Sequence, residues 1–147
     1  MAICAAPADH LRNSQGISDV KKICFDLDGV LCTQTDGRYE NAVPNPEAVQ
    51  LVNKLHERGF HIIIYTARFM GRNNQDIIAA YKQGYELTRS QLQRWGVKHH
   101  DLFLGKPAFD LLVDDRAVFY QADWRKIEAA VKENSTTNGT VSDGCFS

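Results

Sequence analysis

No apolar run in this 147-residue chain reaches the roughly 18 residues that a membrane-spanning helix needs, which excludes a helical span. Neither sign of charge is in excess: 17 Lys and Arg stand against 18 Asp and Glu, for a formal net charge of −1. That balance supplies no basic footprint for nucleic acid and no acidic solvating tail, so neither nucleic acid nor membrane is expected as a partner. Cysteine is sparse. Cys4, Cys24, Cys32 and Cys145 form no CxxC pair, and a reduced, cytoplasmic protein is the simplest expectation. The opening stretch MAICAAPADHLRNSQGISD has no basic start and no sustained apolar segment, so it reads poorly as a signal peptide. GxSxG and GxGxxG are both missing. A P-loop fails at Lys106, because His100 stands where its first Gly belongs and Pro107 follows the Lys. An EF-hand loop counted from Asp26 would need oxygen ligands at Val30 and Gly37.

What is present suits one buried core and is too short for two comfortable domains. Residues 1–19 lack periodicity and read as a flexible lead-in, residues 134–147 (NSTTNGTVSDGCFS) as a flexible polar tail, and residues 20–133 as the ordered unit. Within it, ICF at residues 23–25 reads as a buried strand. NPEAVQLVNKLHERGF reads as a helix with Asn45 as N-cap, Pro46 in its first turn and Gly59 closing it. FHIIIYTAR is a continuous apolar run of strand length, as in a strand covered on both faces. A helix is expected over residues 88–95, a shorter one over 75–81, further strands at DLFLG and FDLLVDD, and a closing helix capped by Asp123. This alternation predicts an α/β fold, a Rossmann-like parallel sheet with helices on both faces. Ligands of such sheets bind beyond the carboxyl ends of the strands.

At those ends the polar residues gather. The first strand ends in Asp26 and Asp28, the second in Thr66, the FDLLVDD strand in Asp114 and Asp115, and Lys106 lies just ahead of it. Two like charges 4 Å apart repel by roughly 4 kcal/mol at an effective dielectric of 20. Four carboxylates in one crevice therefore require a cation beyond Lys106. Hard oxygen ligands favour Mg²⁺, and no His and Cys cluster invites zinc; the adjacent His99 and His100 read as a solvated turn. Thr66 and Lys106 then suit the anion opposite the metal, a phosphoryl group.

In that order DLDGV, IIIYT, a lysine and a hydrophobic strand ending in DD resemble the four motifs of the haloacid dehalogenase (HAD) superfamily, over about residues 21–118. ENAVPNPEAV, YTARFMGR and GKPAFDLLVDDRAV further resemble its small phosphatases of capsule or surface-polysaccharide biosynthesis, which lack a large cap domain. The resemblance implies a Mg²⁺-dependent phosphomonoester hydrolase acting on a small phosphorylated metabolite such as a sugar phosphate. Asp26 would be the nucleophile, forming an aspartyl-phosphate, and Asp28 the general acid and base. Mg²⁺ would be held by the Asp26 carboxylate, the Asp28 carbonyl and Asp114, with Asp115 ligating directly or through water. Thr66, Arg68 and Lys106 would bind substrate, with Tyr39, Arg72, Lys98 and Arg116 as further loop candidates. A phosphosugar mutase and a non-catalytic or receiver-like phosphate-binding module are the alternatives. Residues 68–88, carrying Phe69, Met70, Ile77, Ile78, Tyr81 and Tyr85, are expected to form a lid or an intersubunit contact in a dimer or tetramer.

Overall fold

The apolar run at residues 61–66 lies at the centre of the molecule, as its composition demands. In the computed structural model, which describes residues 21–136, three parallel strands lie in the order β1 (Lys22–Phe25), β2 (His61–Thr66), β3 (Asp101–Leu104). The register pairs Phe25 with Ile64 and Thr66 with Leu104, so all three strands end on one edge. Three helices flank the sheet: α1 (Pro46–Glu57), α2 (Ile77–Arg94) and α3 (Trp124–Thr136). The fold is the expected open parallel α/β sheet, and no large cap domain interrupts it among the described residues. No helix among those residues is long and apolar enough to cross a membrane.

Local chemistry explains the helix boundaries. The Asn45 side chain accepts from the backbone N–H groups of Glu47 and Ala48, and Pro46 costs no hydrogen bond in the first turn. Ala48, Leu51, Val52 and Leu55 form the buried stripe of α1, against Ile62 and Ile64 of β2 in the main core. Asp123 begins α3 by accepting from Arg125 N–H. That helix runs to Thr136, into the segment expected as tail; residues 1–20 and 137–147 lie outside the described residues.

Two expected elements come out differently. The short helices predicted over 75–81 and 88–95 are one continuous α2, started by Asp76, whose carboxylate accepts from Ile78 and Ala79 N–H. Gly84 lies in its middle, although glycine is unfavourable inside a helix. It is there for space: a Cβ at Gly84 would lie 2.1 Å from the Phe69 ring. Phe69 and Met70 thus bury against Ala80, Tyr39 and Leu87 of their own domain, while Ile77 and Ile78 stay 51% and 69% exposed. The exposed pair is what remains for the expected lid or subunit contact.

The second difference concerns FDLLVDD. No fourth strand forms there; Leu111 and Val113 are 81% and 90% exposed, and β1 keeps an unpaired outer edge among the described residues. Apolar composition signals a demand for burial, but a strand exists only where a neighbour completes its backbone hydrogen bonds.

At the opposite edge of the sheet His100 lies in an exposed bend, as expected, but its ring has partners. Its ring stacks on His61 and His56, with centroids 4.4 and 4.6 Å away, and its Nδ1 accepts from Ile62 N–H. His61 in turn meets Asp101, Nε2 to Oδ2 at 2.5 Å. Partial desolvation, and then the neighbouring His61 and His56, lower the His100 pKa. The unfolded chain therefore binds a proton at this position more readily than the folded one. Stability held above the ordinary histidine pKa of about 6.5 is lost as pH falls through the lower folded value. We expect the thermal midpoint to drop between about pH 7 and 5, and to drop less in His100→Asn, whose side-chain oxygen can replace Nδ1. Equal slopes for both proteins in a pH series of melting curves would exclude this origin.

Candidate active site at the carboxyl edge of the sheet

The register places Asp26 one residue past β1, Thr66 at the end of β2 and Lys106 two residues past β3, all on the same edge. Lys106 N–H donates to the Thr66 carbonyl at 3.2 Å, which carries its side chain towards β1. Its ammonium lies 3.1 Å from Asp26 Oδ2, and the Phe109 ring lies 5.4 Å away. Asp26 Oδ1 accepts from Leu27 N–H at 2.8 Å. The carboxylate is thus held at both oxygens yet is 38% exposed, open to an incoming molecule.

After Asp26 the chain turns sharply. Val30, Leu31 and Cys32 all direct their N–H groups to the Leu27 carbonyl, and Gly29 adopts φ +82°. A side chain there would be strained, and its Cβ would fall 2.6 Å from Gln34 Nε2. The turn aims the Asp28 side chain inward, where it is 15% exposed and meets Arg68. Arg68 Nε donates to Asp28 Oδ2 and Nη2 to Oδ1, each at 2.8 Å, a bidentate pair.

Arg68, expected at the substrate, is completely buried. Its Nη1 donates to Gln91 Oε1 at 2.5 Å and to Thr88 Oγ1 at 3.4 Å, both on α2, and Nη2 also approaches Cys32 Sγ at 3.7 Å. With the two bonds to Asp28, these occupy all five guanidinium N–H groups, leaving no donor for a ligand. Arg68 therefore acts here on Asp28. Thr66 is likewise fully buried, its hydroxyl accepting from Arg68 N–H at 3.2 Å.

The remaining candidates divide by position. Tyr39 stands beside the guanidinium, with Arg68 Cζ 5.0 Å from its ring centroid. Arg72 lies over the Tyr39 and Phe69 rings and donates to the Gly37 carbonyl. Lys98 precedes β3, at the other end of the sheet, and pairs with Glu57 at 2.9 Å. Arg116 and Asp115 are 90% and 91% exposed, and Asp114 accepts from Arg116 N–H within their own turn. The structure gathers Asp26, Asp28, Thr66, Arg68 and Lys106, and does not gather Asp114 and Asp115 with them.

Three participants were not foreseen. Gln34 donates to the Asp28 carbonyl at 3.2 Å, and Gln91 Nε2 donates to the Tyr39 carbonyl at 2.7 Å. Cys32, read only as one of the scattered thiols, donates to Asp28 Oδ1 at 3.5 Å. Burial, and next the Asp28 charge, push the Cys32 pKa up to about 12, so the thiol keeps the proton that it shares between Asp28 and the Leu27 carbonyl, 3.6 Å away. Composition carried no signal for any of the three, since each acts through a contact between distant segments.

The donors fit magnesium in part. Asp26 and the Asp28 carbonyl are hard oxygens at one edge, but no group of three or more His, Cys, Asp or Glu side chains could hold a metal ion among the described residues.

No protein-family model matches the chain, and no curated protein sequence matches it. Among solved structures, a structural-genomics target from Vibrio cholerae is similar with a TM-score of 0.67 and 24% identity, covering 78% of this chain and 99% of that one. The likeness is one of fold. A D,D-heptose 1.7-bisphosphate phosphatase from B. bronchiseptica, crystallised with magnesium and phosphate, is similar with a TM-score of 0.44 and 17% identity, over 62% of this chain and 52% of that one.

Proposed function

We propose that this chain is a phosphomonoester hydrolase of the HAD type, working through an aspartyl-phosphate on Asp26 and acting on a small phosphorylated metabolite such as a sugar phosphate of surface-polysaccharide synthesis. The observation that carries this reading is the strand-end Asp26 carboxylate, partly open to solvent and facing Lys106, with Asp28 two residues beyond it. An Asp26 oxygen attacks phosphorus, and the bond to the leaving oxygen breaks as Asp28 delivers a proton to it. In the second step Asp28 takes a proton from water, the water oxygen bonds to phosphorus, and the bond to Asp26 breaks. Lys106 offsets the charge on the phosphoryl oxygens, and the Thr66 hydroxyl, fully buried at the end of β2, has to be uncovered before it can join it. Access of water to Asp26 favours hydrolysis over a mutase, which has to shield the same intermediate.

Magnesium, held by the Asp26 carboxylate, the Asp28 carbonyl and Asp114, with Asp115 directly or through water, would neutralise charge between the nucleophile and the phosphoryl group. For this, residues 109–115 have to leave their exposed course and lie along the edge of β1 that is open among the described residues, while the Asp28 carbonyl keeps a second lone pair beside its bond from Gln34. The exposed apolar residues Leu111, Leu112 and Val113 supply a reason to do so. The free thiols Cys24 and Cys32 fit a reducing, cytoplasmic setting.

The test is release of inorganic phosphate from p-nitrophenyl phosphate and from a panel of sugar, glycerol and nucleotide phosphates, with magnesium present. Preference for one sugar phosphate is the expected result. No phosphate from any member of the panel would overturn the reading.

A further inference from the structure

The Arg68 pair raises a question that the hydrolase reading leaves open: which Asp28 atom moves the proton, and in which step. An ionised carboxylate offers about four lone-pair sites. On Oδ1 one is taken by Arg68 Nη2, and the Cys32 sulfur, whose single proton also faces the Leu27 carbonyl at 3.6 Å, covers the other at 3.5 Å. On Oδ2 one is taken, by Arg68 Nε. A single site is left, on Oδ2.

The clamp is braced from behind. Gln91 accepts from Arg68 and donates to the Tyr39 carbonyl, and the Tyr39 ring lies against the guanidinium. Arg68 therefore cannot turn without disturbing α2 and the 3₁₀ turn Tyr39–Asn41 together.

The geometry points to Arg68 as a positioning residue, braced by Gln91, that presents Asp28 Oδ2 as the base for hydrolysis of the phosphorylated enzyme. This inference rests on the hydrolase reading and assigns Arg68 a place in its second half. There the water proton passes to Asp28 Oδ2, the water oxygen bonds to phosphorus, and the electrons of the breaking P–O bond return to Asp26. Formation of the intermediate from an ester with a good leaving group needs no help from Asp28, so a disturbed clamp slows only the second step.

The experiment is rapid-mixing kinetics of Arg68→Lys with p-nitrophenyl phosphate in magnesium, with intact-mass measurement of the chain. Lysine keeps the charge against Asp28 but cannot grip both oxygens. We expect a burst approaching one equivalent of p-nitrophenol per chain, then a steady state slowed about 100-fold. A phosphorylated chain should accumulate, and KM should fall along with kcat so that kcat/KM changes little. Gln91→Leu, which leaves the ion pair but removes its brace, should give the same pattern more weakly if the lysine variant does not fold. A steady-state loss without burst or phosphorylated chain overturns the inference, as does a rise in KM at unchanged kcat. If the wild-type chain hydrolyses, Asp26→Asn does not, and Arg68→Lys shows no burst, the clamp alone is wrong. An inert wild-type chain overturns the hydrolase reading and the clamp with it.

Discussion

Asp26→Asn is expected to lower phosphate release by about 10⁴-fold or more while leaving the melting temperature within a few degrees of wild type. The amide keeps the shape of the carboxylate but lacks the charge that attacks phosphorus. The site tolerates it structurally because Asp26 is partly exposed and its Lys106 partner is 16% exposed, near enough to solvent for water to take the place of the lost ion pair. The neighbouring Asp28→Asn should behave differently. Arg68 is wholly buried, and Asp28 is its carboxylate partner. Removing one member of a buried pair costs about 3–5 kcal/mol, because the other charge stays desolvated and uncompensated. Asp28→Asn should therefore lose both activity and stability, and Asp28→Asn with Arg68→Met should recover part of the stability but none of the activity. Melting curves and phosphate assays on the four proteins decide the matter. Activity of Asp26→Asn within tenfold of wild type would remove the nucleophile assignment, and an undisturbed Asp28→Asn melt would show that the buried pair contributes little.

Removal of magnesium is expected to abolish turnover and to change the fold locally. A chelator should reduce hydrolysis to the level of Asp26→Asn, and Ca²⁺ should not restore it. Ca²⁺ takes more and longer oxygen contacts, and would let Asp26 bind through both oxygens and so occupy the lone pair needed for attack. The structural part concerns residues 109–115. They are exposed, and among the described residues β1 has an open edge. If Asp114 and Asp115 complete the metal site, magnesium with inorganic phosphate should slow amide exchange in this segment by well over tenfold, as new strand pairing requires. Undiminished hydrolysis in chelator would rule out the metal site. Magnesium-dependent hydrolysis with unprotected amides at 109–115 would show instead that the ion is held without Asp114 and Asp115.

Elements built from local signals could be read in advance. Asn45, Pro46 and the spacing of Ala48, Val52 and Leu55 place α1, and the run HIIIYT places β2, because caps and side-chain periodicity depend on residues a few positions apart. The rule that parallel strands end on one edge was expected to bring Asp26, Thr66, Lys106, Asp114 and Asp115 together; the first three lie at that edge, and the last two do not because FDLLVDD forms no strand. Where the signals involve distant partners the sequence was silent. The residues between 81 and 88 showed no helix until the Phe69 ring supplied the reason for Gly84, and FDLLVDD showed its hydrophobicity but not its pairing. Arg68 is the plainest case. Two residues beyond Thr66, with its charge, it reads as a substrate contact, and nothing in YTARF says which way a long side chain turns. The tertiary structure decided that, by closing α2 and Tyr39 over the end of β2 so that water is excluded. The only places left for five guanidinium N–H groups were then Asp28, Gln91, Thr88 and Cys32.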